Sequence, residues 1–124
     1  MSYLIFGSSS NLTKSLCRKL KSMDIDYSLA GKSSEKYYYD ALDDYKVLVS
    51  KINFKKYKNI IINIGLLQNK NFVDQDVDDH VNSIRINLLA VVNIIENAIR
   101  QNKNAKICVV GSESAKKGSF DTSY

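Results

Sequence analysis

An apolar stretch, Tyr3-Leu4-Ile5-Phe6, runs straight into the small-residue turn Gly7-Ser8-Ser9-Ser10-Asn11, and a helical pattern opens directly afterwards. In that pattern Leu12, Leu16, Leu20 and Met23 recur at helical spacing, which predicts one apolar face. The free N–H groups of a helix's first turn and its dipole favour a bound anion, and small residues let backbone approach it closely. The opening therefore reads as a phosphate cradle, although the same turn would also serve as a plain strand-to-helix connection.

The sequence holds 124 residues, enough for one domain with a real core, spanning residues 1–124. No apolar run approaches the roughly 20 residues needed to cross a bilayer, and the N-terminus lacks a basic leader, so no membrane association is expected and the cytoplasm is the expected compartment. The net charge of +5 is spread over scattered lysines such as Lys14, Lys36, Lys55, Lys70 and Lys103, without aromatic interleaving, so nucleic acid is not an expected partner. Cys17 and Cys108 lack metal-ligand spacing and are expected to be small buried apolar residues; no metal site is expected. His80, set among Asp78, Asp79 and Asn82, is expected to be exposed.

Residues 27–30 predict a second strand ending at Gly31-Lys32. Only Ser33-Ser34-Glu35 separates it from the aromatic run Lys36-Tyr37-Tyr38-Tyr39, too little for a helical crossover, which takes about a dozen residues. The two strands form either a hairpin or an irregular tight crossover. A helix follows over residues 43–53, with Tyr45, Leu48, Val49 and Ile52 on one side. The β-branched run Asn59-Ile60-Ile61-Ile62-Asn63-Ile64 suits a parallel strand covered on both faces. After a polar loop over 66–76, a single long helix is predicted over about 75–101 with the stripe Val77, Val81, Ile84, Leu88, Val91, Ile95 and Ile99. Asp76, Asp78 and Asp79 fall in its first turn, where the dipole favours them. A last strand, residues 106–110, ends at Gly111-Ser112. Alternating strands and helices predict an α/β, Rossmann-like doubly wound and mostly parallel sheet of about five strands, incomplete at its far side, with ligand at the carboxyl ends of the strands.

At these strand ends the sequence resembles the short-chain dehydrogenase/reductase family. That family opens with T-G-x-x-x-G-x-G; here Phe6 to Thr13 keep the first glycine and the serine run, with Asn11 and Thr13 in place of the second and third glycines. Asparagine tolerates a left-handed backbone, whereas Thr13 sets a β-branched side chain where helix and sheet usually pack closely. Gly31-Lys32 stands where the family often has Gly-Arg. Asn63-Ile64-Gly65 resembles its N-N-A-G stretch, with Ile62 replacing the first asparagine.

The resemblance implies a dinucleotide held by Gly7, Ser9, Ser10, Asn11 and Leu12 at the turn, by Lys32 and Ser33 after the second strand, and by Asp40 and Ala41 after the third. Asn63, Ile64 and Gly65 after the fourth complete the set. A cation at Lys32 suits the 2′-phosphate of NADP(H), with NAD(H) as the other option. Asp40 would contact adenine, though by its own pattern it is equally a cap for the next helix. Asn87 would support a proton relay, Ser112 would hold the substrate oxygen, and Tyr124 would deliver the proton. The lysine of Y-x-x-x-K, which would lower the phenol's pKa, is not in this sequence, whose last residue is Tyr124.

The implied activity is hydride transfer between NADP(H) and a small carbonyl or alcohol by the intact protein, which the family leads one to expect as a homo-oligomer. The chain itself reads as the N-terminal, cofactor-binding portion. By itself it is expected to be inactive and poorly stable, with its fifth strand an uncovered edge. Rival readings are a non-catalytic dinucleotide-binding module, a sugar-nucleotide epimerase or dehydratase, and a flavodoxin-like FMN domain.

Overall fold

Residues Ser2–Phe6 form the central strand, β1, and every other element is placed relative to it. The computed structural model describes residues 2–65 and 72–111. Helix α1 spans Asn11–Ser22, strand β2 Asp26–Gly31, β3 Tyr37–Tyr38, helix α2 Tyr45–Ser50 and strand β4 Asn59–Ile62. Helix α3 covers Val77–Ile84, a π-helical turn Arg85–Leu89, helix α4 Ala90–Gln101 and strand β5 Lys106–Val109. The strand order is β3-β2-β1-β4-β5, and each neighbouring pair is parallel. The order reverses beside β1, so the carboxyl ends of β1 and β4 flank a crevice, the place where such sheets bind ligands.

Alternation along the strands sorts side chains to two faces. Leu4, Phe6, Ile60 and Ile62 are buried in the main core with Val49, Phe54, Ile94 and Ala98 from the elements that cover that face. Ile5 points the other way and is fully buried, as is Leu20 of α1. Phe6 anchors the core through an edge contact with Tyr39 and a stacked contact with Phe54, at centroid separations of 5.2 and 6.3 Å.

The link from β2 to β3 is the tight parallel crossover, not a hairpin. Side-chain oxygen replaces the missing helix: Ser34 Oγ donates to the Leu29 carbonyl at 2.6 Å and accepts from the Tyr37 amide at 3.4 Å. The Gly31 carbonyl accepts from the amides of both Ser34 and Tyr39.

Several sequence expectations are corrected. In α1, Leu12 is 54% exposed and Met23 is exposed too, while Thr13 is only 1% exposed. The helix turns Thr13 and Leu20 to the sheet because the Thr13 hydroxyl is engaged by the Asn63 side chain at β4's end. Cys17 is half-buried and Cys108 exposed; β5 lies at the described edge of the sheet, and α1 presents a different face from the one its leucines suggest. His80 is half-buried, its ring 4.9 Å from that of Phe72.

The long helix begins as expected, with Asp76 and Asp79 forming a reciprocal capping box at 2.8 and 3.1 Å. It is not uniform, however. The π-helical turn inserts a residue into the helical repeat and rotates α4 relative to α3. Val91 and Ile95 face the core as the stripe predicts, but Val77, Val81, Ile84 and Leu88 are exposed; Ser83, Ile86, Ala90, Ile94 and Ala98 take the inner face. Ile99 is also exposed.

This rotation gives a direct test by urea denaturation. Leu88→Ser should change stability by less than about 0.5 kcal/mol, whereas Ile94→Ala should cost about 2–5 kcal/mol. The opposite ranking would show that the sequence stripe, rather than the rotated one, faces the core.

Candidate functional site

Gly7 leaves β1 with φ at +98°, a conformation that side chains disfavour. A Cβ there would also lie 1.9 Å from the Asn63 carbonyl oxygen, inside any tolerable contact. The two chain segments are stitched together where they cross, the Asn63 amide donating to the Phe6 carbonyl at 3.0 Å, while the Gly7 amide donates to the Ala30 carbonyl of β2 at 2.9 Å.

Ser10 caps α1, its Oγ accepting from the Thr13 amide at 3.1 Å. Asn63 then reaches across from β4's end. Its Nδ2 donates to Ser10 Oγ at 2.7 Å and to Thr13 Oγ1 at 3.1 Å, and Ser10 Oγ donates to Thr13 Oγ1 at 2.9 Å. Thr13, which stands at the family's third glycine, therefore fits without distortion of this turn by using its hydroxyl as the centre of a polar knot. The first turn of α1 holds no acidic residue, so the positive end of the dipole is uncompensated within the helix. The amides of Asn11 and Leu12 have no acceptor within the helix. Backbone, not side chain, is the contribution of these two residues to the site.

The neighbouring wall is built at β2's end. A Cβ on Gly31 would meet Ser8 Oγ at 2.1 Å, so glycine lets the first turn nestle against β2. Ser8 Oγ and Ser33 Oγ share a hydrogen bond of 2.9 Å. Lys32 Nζ lies 3.7 Å from Asp40 Oδ2, with the lysine largely exposed, and Asp40 Oδ1 accepts from the Leu42 amide at 3.0 Å. Asp40 thus closes its own turn. It does not cap α2, whose N-cap is Asp44.

The far wall comes from Ile64, Gly65 and the π-helical turn. Ile86 lines it, and the Asn87 side-chain oxygen lies 3.3 Å from where a Gly65 Cβ would stand. Asn87 is thereby placed against the end of β4. Together the walls enclose a cleft of 310 Å³, at the lower end of the range for small-molecule sites. Of the residues that the resemblance assigns to a dinucleotide, Gly7, Ser9, Ser10, Lys32, Asp40, Ala41, Asn63, Ile64 and Gly65 line it. The side chains of Asn11, Leu12 and Ser33 do not. Ser112 and Tyr124 lie outside the described residues.

Sequence reasoning did not assign Ser8, Gly31, Tyr39, Leu42 and Ile86, which also line the cleft. Their signal was adjacency, since each of the first four flanks an assigned cofactor residue and Ile86 precedes Asn87. Tyr39 matters most: it is 3% exposed, and its hydroxyl is buried with no hydrogen-bond partner among the described residues. Burial, then the nearby Tyr45 and Asp40, push its pKa well above the usual phenol value. A second hollow, of 420 Å³, opens between α2 and the α3 side of the long helix and gathers none of the strand ends. Among the described residues no helix is long and apolar enough to cross a membrane, and no group of His, Cys, Asp or Glu could hold a metal ion.

Solved structures share this fold, in alignments that cover 98% of the chain. A short-chain dehydrogenase/reductase from Serratia marcescens superposes with a TM-score of 0.79 at 15% identity. A protein of Listeria innocua gives 0.80 at 16%, and a structure described as a putative betaketoacyl-ACP reductase gives 0.81 at 16%. The fold is that of the short-chain dehydrogenase/reductases. The chain spans 59%, 60% and 58% of the lengths of these three structures, respectively. No protein-family model matches the sequence, and no curated protein matches it significantly. The cleft between β1 and β4 carries a lining of glycine and serine at its β1 side.

The polar knot predicts an asymmetric response at one residue. Thr13→Val preserves shape but removes the acceptor of two half-buried donors, and should cost about 1–3 kcal/mol in chemical denaturation. Thr13→Ser, which keeps the hydroxyl, should recover most of the loss. Equal destabilisation by both would assign Thr13 to packing alone.

Proposed function

We propose that this chain is the dinucleotide-binding portion of a short-chain oxidoreductase that prefers NADP(H) and transfers hydride to or from a small carbonyl or alcohol. The observation that carries the reading is the convergence of Gly7–Ser10, Lys32, Asp40 and Asn63–Gly65 on one cleft at the carboxyl ends of β1, β2 and β4. Two features of the site support this reading. Two glycines stand where a Cβ would collide with neighbouring backbone or side chain, and the phenol of Tyr39 is buried beside the cleft without a partner among the described residues. An unpaired buried hydroxyl costs free energy that a bound polar group can offset.

A nicotinamide dinucleotide would supply the hydride chemistry when bound. The chain's residues supply the rest. The amides at the start of α1 favour the pyrophosphate, and Gly7 keeps that backbone clear of side-chain bulk. Lys32 offers an ammonium group for a 2′-phosphate, at the cost of its interaction with Asp40. That pair has a largely exposed lysine and contributes little to stability, so its loss is inexpensive. Asn87, beside Gly65, stands where it can orient groups over the cleft's inner end. Ser112 and Tyr124 would act on the substrate oxygen and its proton in the whole protein, where a lysine four residues beyond Tyr124 would lower the phenol's pKa.

Calorimetric titration of the chain with NADPH and NADH tests this. NADPH should bind more tightly, and Lys32→Ala should weaken NADPH roughly tenfold while leaving NADH within about twofold, the contrast expected when one charge-assisted contact to phosphate is lost. Absence of saturable binding by either dinucleotide would overturn the reading. Equal affinities unaffected by Lys32→Ala would remove the NADP preference.

A further inference from the structure

The loop between β3 and α2 forms one side of the cleft through Asp40, Ala41 and Leu42; the Asp40 side chain and carbonyl hold the amides of Leu42 and Asp43 within it, but these bonds do not tie it to the long helix. Leu42, Asp43 and Asp44 are exposed, and Asp44, the N-cap of the short helix α2, makes no side-chain capping bond. The missing support comes from another part of the chain. Arg85 Nε donates to the Ala41 carbonyl at 3.1 Å, and its Nη2 donates to the Asp43 carbonyl at 2.5 Å. The guanidinium also lies 5.3 Å from the centre of the Tyr45 ring. A planar fork of donors spanning two carbonyls of one loop fixes both position and orientation, which a lysine cannot do.

Arg85 is the first residue of the π-helical turn. The next residue, Ile86, lines the cleft, and the one after, Asn87, meets the Gly65 position at β4's end. Three consecutive side chains of one irregular turn thus touch the Asp40 side of the cleft, its wall and its inner end. We infer that Arg85 is a positioning residue, which holds the Asp40–Leu42 loop in register with the rest of the cleft so that the adenosine end of the ligand is bound. It does not touch that ligand itself. The inference rests on the dinucleotide reading and deepens it by naming what sets one half of the site.

The test compares two fragments of the ligand on the folded chain. Adenosine 2′,5′-bisphosphate probes the loop, and inorganic pyrophosphate probes only the cradle at α1. Binding is followed by amide chemical shifts. Arg85→Met should weaken the bisphosphate at least tenfold and leave pyrophosphate within about twofold, and Arg85→Lys, able to reach one carbonyl, should fall between it and the unchanged protein. Unchanged bisphosphate affinity, or equal weakening of both fragments, would overturn the inference. Should Arg85→Met fail to fold, the same comparison with Arg85→Lys decides by the same criteria. An unsubstituted chain that binds neither fragment would instead overturn the dinucleotide reading.

Discussion

The structure depends on the crossing of two chain segments at the ends of β1 and β4, where the Gly7 backbone passes against the Asn63 carbonyl. Only the absence of a side chain permits that approach, and the φ of Gly7 is one that glycine adopts at little cost. Once the segments are this close, the Asn63 side chain reaches Ser10 and Thr13, and the start of α1 is pinned to the sheet. The pinning decides which face of α1 is buried, where its uncompensated N-terminus lies, and where the cleft opens. Local chemistry and topology agree here, because the strand order reverses at the same place.

Much of this was legible in the sequence. The turn after Phe6, the β-branched run before Asn63 and the acidic start of α3 each carry a short-range pattern with a physical cause, and each stands where it was expected. Nine of the residues implied to hold a dinucleotide line one cleft, brought together from segments far apart in the chain. The features that escaped were those set by tertiary contact. Leu12 fits the helical period as well as Thr13 does; only the partners supplied by Asn63 choose between them. The β2–β3 link could not be settled because its closure relies on the Ser34 hydroxyl, an interaction that periodicity does not register.

The long helix shows a different failure. Its apolar residues form one continuous stripe if every turn is regular, and nothing in the apolar pattern announces the irregular turn at Arg85–Leu89. That turn sends Val81, Ile84 and Leu88 outward while Ile86 and Ala90 go in. It also brings Arg85 to the loop after Asp40 and Asn87 to Gly65. A departure from ideal helix geometry at a cleft wall is where functional demands and regular packing commonly part. The exposed Cys108 on β5 has the simpler explanation that its strand forms the described edge of the sheet.

The central claim is that the knot of Ser10, Thr13 and Asn63 builds an anion cradle at the start of α1. Amide chemical-shift mapping with ADP-ribose, the portion that carries the adenine and the pyrophosphate, tests it most directly. The account predicts saturable shifts that are largest at the backbone of residues 9–12, with a second set at 40–42. Saturable binding with its largest shifts on the α2 and α3 surfaces, or no saturable shift at residues 9–12, would contradict it.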